Sequence, residues 1–244
     1  MATGLDREFQ LPRSGPPPRS VSRFVCDTLR GAILDGTLRG GTRLVIATLA
    51  QQLQVSSTPL RDALHDLAHE GLVVLDARRG AVVRNVDYTE VVDIYEIREV
   101  IEPLVTSRAA RKISGEELRE LEDLQRRMSE ESEFGRWNQL NDRFHTLIAQ
   151  AAKWDDSLED LTRSLVARCA LHVSVAADIE TTGAGLEFWQ HEITRSHTEH
   201  QSIIDACAAQ DPERAAAAMK EHIQATFENI RRFHHEMEIA DESL

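Results

Sequence analysis

Two groups of side chains in this sequence combine reactive types with a usable spacing. The first is Ser56-Ser57-Thr58 followed by Arg61, with Arg78-Arg79-Gly80 further along. Hydroxyls near a helix N-terminus suit phosphate oxygens, and an arginine one turn on can pair bidentately with guanine O6 and N7 or clamp a phosphate. The alternative for Arg61 is a surface arginine paired with Asp62 or His65. The second group is Asn141 and His145, four residues apart and so on one helix face, together with His200 and His222. Three imidazoles and an amide oxygen from three neighbouring helices can hold a divalent metal (Zn, Ni or Mn) and leave coordination positions open. Ten histidines in 244 residues offer many accidental sets, so spacing alone leaves each of them equally readable as a surface or core residue.

The elements that would position these groups follow from periodicity. Val21, Phe24, Val25, Leu29, Ile33 and Leu34 recur at near-helical spacing until Gly36, and Ile46 to Leu53 forms a short second helix. A third starts at Val55-Ser56-Ser57-Thr58-Pro59, with Ser56 or Ser57 as N-cap. Its buried stripe is Leu60, Leu64, Leu67 and Ala68, and Gly71 is its left-handed stop. The stripe leaves Ser57, Thr58, Arg61 and His65 on the other face. Leu72 to Leu75 and Ala81 to Val83 then read as a hairpin around a basic turn. This order is that of a winged helix-turn-helix, whose second motif helix enters the major groove while the wing touches backbone or minor groove.

From Thr89, taken as a cap, to the end only helices are legible. They run from Val91 to Leu104, from a Ser114-Gly115-Glu116-Glu117 capping box to Met128, from Trp137 to Ala152, from Leu158 to about Asp178, from Leu186 to Ala208, and from Pro212 to about Glu236. The fold class is therefore mainly α: an N-terminal winged helix-turn-helix followed by an antiparallel all-helical bundle of six or seven helices. The divisions are a disordered proline-rich arm over 1–18, a DNA-binding domain over 19–86, a helical effector-binding and dimerisation domain over 87–238, and a tail over 239–244.

Charge divides along the same line. Residues 1–86 carry eleven arginines and no lysine against eight acids, while the remainder holds seventeen basic against thirty-three acidic residues. Only the N-terminal part, at +3 within a chain of −13, suits a phosphate backbone. Three scattered cysteines exclude a disulfide framework, and no apolar run reaches membrane-span length, so the expectation is a cytoplasmic protein with no membrane partner.

Residues 29–83 resemble the DNA-binding domain of the GntR family. The likeness runs through Ala32-Ile33-Leu34, Gly36, Gly41, Leu49-Ala50, Val55-Ser56, Thr58-Pro59-Leu60-Arg61, Ala63-Leu64, Glu70-Gly71-Leu72-Val73 and Gly80. By that resemblance Ser56, Thr58, Arg61 and Gly80 meet DNA. Ser57 stands where the family has an arginine, so that contact is lost or supplied differently.

Residues 89–235 resemble the FadR C-terminal ligand-binding domain, through Tyr95-Glu96-Ile97-Arg98, Asn141-Asp142-Arg143-Phe144-His145, Glu199-His200 and Met219-Lys220-Glu221-His222. The resemblance implies a metal ligand set of Asn141, His145, His200 and His222, with Asn141 replacing the family's Asp. Asp142 is no substitute, because one step turns it ~100° around the helix. Lys153-Trp154 replaces the family's Gly-Asn after this helix. Arg98 is the candidate partner of an effector carboxylate, against an internal ion pair with Glu102. His172 and His197 are secondary pocket candidates that are more often structural.

These readings lead to a homodimeric, ligand-responsive repressor of a metabolic operon, with double-stranded operator DNA and a small organic or sugar acid as partners. The alternatives are a metal sensor without organic effector and a metal-dependent enzyme. No nucleophile elbow, phosphate loop or dinucleotide fingerprint supports the enzyme.

Overall fold

The computed structural model describes residues 19–76, 80–177 and 183–242. The expected arm over 1–18, and Arg78 and Arg79 of the basic turn, lie outside them.

The N-terminal domain is built from α1 (Arg19–Leu34), β1 (Arg43–Leu44), α2 (Ile46–Leu53), α3 (Ser57–His69), β2 (Val73–Asp76) and β3 (Gly80–Val83). The apolar stripes meet as their spacing requires: Val25, Leu29 and Ile33 of α1 and Leu60, Leu64 and Leu67 of α3 are all at most 3% exposed. Gly71 ends α3 at φ +78°, in the left-handed region that favours glycine. A side chain there would also collide with Arg168 of the bundle, whose Cδ lies 2.9 Å from the position of a Cβ.

The wing is a three-stranded antiparallel sheet in the order β1-β3-β2, with Val74 opposite Val82 and Arg43 opposite Val82 on the other edge. Strand β1 adds to the hairpin legible in the sequence. A two-residue strand has no alternation to show, and it exists only because β3 offers it an edge.

The second domain consists of α4 (Tyr88–Ala110), α5 (Gly115–Glu130), α6 (Phe134–Ala151), α7 (Asp156–Ala177), α8 (Gly183–Ala208) and α9 (Pro212–Glu242). Helix α4 is central, packing on α6, α7, α8 and α9. Its cap is Asp87, which accepts from the Glu90 N–H at 2.8 Å, and not Thr89. A carboxylate two residues earlier reaches the first-turn donors better than a threonine already inside the helix. The capping box at Ser114 and Glu117 forms in both directions. Helix α8 begins at Gly183, ahead of Leu186, and α9 continues to Glu242, past the point where the apolar spacing fades. No described helix is long and apolar enough to cross a membrane.

The two domains share a seam. Asn138 of α6, 1% exposed, donates from Nδ2 to the carbonyls of Leu34 at 3.0 Å and Ala170 at 2.9 Å. Gln139 donates to the Gly31 carbonyl at 2.9 Å and Asp35 Oδ2 at 3.1 Å. Glu90 receives Arg84 at 3.0 Å and also Arg168. Helix α6 therefore holds the C-terminal end of α1 by side-chain amides.

Candidate functional site

Helix α3 presents Ser57, Thr58, Arg61 and His65 to solvent, as its buried stripe dictates. Ser56 is the N-cap, but its side chain makes no capping bond, so the hydroxyl is not consumed by the helix. Arg61 forms no ion pair with Asp62 or His65, nor with any other described residue. Gly80 is exposed at the start of β3 with φ +77° and open space around it. Arg43, an exposed residue of β1, joins the same sheet and was hidden from the sequence reading along with its strand.

The bundle holds the second site. Arg98, Asn141, His145 and His222 line one cavity of about 40 Å³, with Tyr95, Asn138, Cys169 and Glu192 in its walls. His145, His200 and His222 are at most 3% exposed, and their ligating nitrogens lie within 4.8 Å of one another. Three separate helices supply them, α6, α8 and α9.

Protonation follows from the neighbours. Burial would raise the Glu102 carboxyl, but the adjacent Arg98 guanidinium and the hydrogen bond with His145 overcome it and hold the pKa down to about 2. Glu102 is thus an ionised acceptor, and His145, whose Nδ1 lies 3.0 Å from Glu102 Oε2, must donate from Nδ1. His222 Nδ1 lies 2.8 Å from Glu199 Oε2, a carboxylate also paired with Arg195. With both Nδ1 atoms turned to carboxylates, the two Nε2 atoms face each other across 3.3 Å. Burial pushes His145 down to about 4 and His200 well below its usual value, so neither takes a proton near neutrality.

His200 is held by stacking on Phe144, centroids 4.3 Å apart, and its buried Nε2 has no hydrogen-bond partner among the described residues. Asn141 Oδ1 is likewise buried without one. Buried acceptors without a partner, such as His200 Nε2 and Asn141 Oδ1, are unfavourable unless something fills the space beside them. Two nitrogens each about 2.1 Å from a metal ion sit roughly 3.0–3.4 Å apart, so the observed spacing fits a divalent ion.

Arg98 combines both of its alternatives: it lines the cavity and is ion-paired with Glu102. His172 and His197 are not brought to the cavity. His172 Nδ1 lies 3.3 Å from the Val86 carbonyl, with its ring near His234, and His197 receives Gln125 Nε2 at 2.8 Å. His234 itself is stacked on Tyr88 at 3.9 Å. At the end of α6, Lys153 takes φ +50°, so a lysine adopts the conformation that the family's glycine would favour, while Arg108 lies over Trp154. Glu102 and Glu199, which orient two of the histidines, carry no signal in sequence beyond being two of forty-one acids.

A winged helix with an exposed, unpartnered arginine, joined to a bundle around a buried polar cavity, defines a class: the two-domain DNA-binding regulators. Residues 21–83 match the model of "Bacterial regulatory proteins, gntR family" and residues 93–225 that of the "FCD domain". The chain belongs to the GntR family of transcription regulators, in the group that carries an FCD domain. It is similar to the Nta operon transcriptional regulator of Aminobacter aminovorans, 29% identical over 79% of this chain and 86% of that one. The HTH-type transcriptional repressor RspR of Escherichia coli K12 is 25% identical over 90% of this chain and 93% of its own. Among solved structures, E. coli McbR/YncC matches with a TM-score of 0.66 at 22% identity, over 88% of this chain and 99% of that one, which concerns the fold. These relatives are regulators, and the chain is not read as an enzyme.

Proposed function

We propose that this regulator is a homodimeric repressor whose hold on operator DNA is set by a small organic acid bound beside a divalent metal at His145, His200, His222 and Asn141. The observation that carries this reading is the convergence of three buried imidazoles, with ligating nitrogens within 4.8 Å of one another. Zn, Ni or Mn would supply a coordination centre for the acid's carboxylate. Asn141, being neutral, gives the ion less charge than an aspartate would, which favours an anionic ligand completing the shell. Arg98, held in the cavity wall by Glu102, offers its remaining donors to a second carboxylate oxygen.

On DNA, Ser56, Ser57 and Thr58 suit phosphates at the α3 N-terminus, Arg61 a base edge or phosphate, and the wing residues Arg78, Arg79 and Gly80 the backbone. Two-fold operators call for two winged helices, and Ile97, Val100 and Leu104, an exposed apolar stripe on α4, suit burial against a second copy. A cavity of about 40 Å³ is tight for an organic acid, so binding must move its walls, which include Asn138. Movement there reaches α1 through the Leu34 carbonyl and gives the acid its differential affinity for two domain arrangements. The same small volume favours a second reading, a metal sensor without organic effector.

Metal content tests the site. Native mass spectrometry of zinc-loaded protein should show one ion per chain, and His200→Ala should retain less than a tenth as much at equal free zinc. Equal loading of the two proteins contradicts this ligand set.

A further inference from the structure

A second cavity, of about 980 Å³, opens between the two domains, with α1 and the end of α3 on one side and α6 and α7 on the other. Most charges on its walls are already committed. Arg30 grips Glu70, with Nε 2.9 Å from Oε2, and also reaches Asp27 at 2.7 Å. Arg143 serves Glu120 at 2.7 Å and Gln150 at 3.3 Å, and one end of Arg163 serves Asp160.

Two buried atoms of opposite sense are left over. Asp142 is 8% exposed, and its Oδ1 is buried with no hydrogen-bond partner. Arg163 Nε is a buried donor in the same condition. The two residues form no ion pair with each other. A buried acceptor and a buried donor left unused on facing helices are costly unless a ligand uses them.

We propose that this interdomain cleft binds an amino-acid zwitterion, its ammonium on the Asp142 carboxylate and its carboxylate on the Arg163 guanidinium. A simple anion would face Asp142 and a simple amine would leave Arg163 unused. A metal ion would need further ligands, and among the described residues the cluster able to hold one is the histidine triad in the other cavity. The ligand would sit one turn from Asn138 and Gln139, where α6 holds α1, and would favour the domain arrangement in which the cleft walls meet. The site is thus a second input, independent of the histidine cavity.

The test is thermal unfolding of EDTA-treated full-length protein with each proteinogenic L-amino acid, followed by calorimetry on the strongest responder. At least one should raise the midpoint saturably, and its N-acetyl and carboxamide derivatives should each bind at least about tenfold more weakly. Asp142→Asn, which replaces a desolvated carboxylate with a neutral isostere, and Arg163→Gln, at a partly exposed position, should fold and lose the response. His200→Ala should keep it. No midpoint shift with any amino acid, or an undiminished response in Asp142→Asn, overturns the proposal, as does a response lost in His200→Ala but kept in Arg163→Gln.

Discussion

His145, His200 and His222 owe their character to what surrounds them: two carboxylates fix two of the rings, and burial keeps His145 and His200 neutral. That neutrality has a pH cost. As pH falls below about 6.5 the unfolded chain takes up protons that folded His145 and His200 refuse until far lower pH, so stability falls on acidification. Asp142, raised to about 6, works in the opposite direction, because below that pH the folded state binds its proton first. Two histidines outweigh one carboxyl, and the metal-free protein should lose about 2 kcal/mol between pH 7.5 and 5. Urea denaturation across that range checks it; a midpoint that stays level or rises on acidification contradicts the assigned charge states. At this scale the sequence was informative where the family resemblance singled residues out: Asn141, His145 and His222 line one cavity, and His200 clusters with the other two histidines. It was silent on Glu102 and Glu199, because a carboxylate that orients a histidine from another helix looks like any surface acid. It gave His172 and His197 only as secondary candidates that are more often structural, and they turn to Val86 and Gln125.

Helices α3 and α6 are the two elements on which the proposed function rests. On α3 the apolar stripe was readable at sequence level because a 3.6-residue period fixes both faces at once, and the exposed face followed from it. Arg61→Ala should leave the urea midpoint within about 0.5 kcal/mol, as for a surface substitution, yet lower operator affinity by about 1–3 kcal/mol. Fluorescence anisotropy on a mapped operator measures this, and unaltered affinity removes Arg61 from the interface. Helix α6 was readable as a helix but not as a clamp, since the carbonyls of Leu34 and Ala170 that Asn138 joins are far away in sequence. Asn138→Leu should cost about 1–3 kcal/mol through two lost buried hydrogen bonds and the carbonyls left bare. Hydrogen exchange should speed up at the end of α1 in that variant, and unchanged protection there means that α6 does not hold α1. Strand β1 went unseen for a related reason: it depends on a partner and not on a local pattern.

In the whole molecule, a basic N-terminal domain and an acidic bundle are joined through the Asn138 and Gln139 amides and the Arg84, Glu90 and Arg168 cluster, so a change in the bundle has a physical route to the winged helix. The two-domain order was legible from charge and periodicity, while the cleft between the domains was not, because it is made by residues from four helices. The most direct test of the account is operator affinity by anisotropy, measured for zinc-loaded protein against a panel of small organic and sugar acids, with EDTA-stripped protein and His200→Ala alongside. The account predicts that one acid weakens operator binding by at least about tenfold, a coupling of about 1.4 kcal/mol, in the loaded protein alone. An operator affinity that ignores every acid and zinc, or that responds equally in His200→Ala, contradicts it.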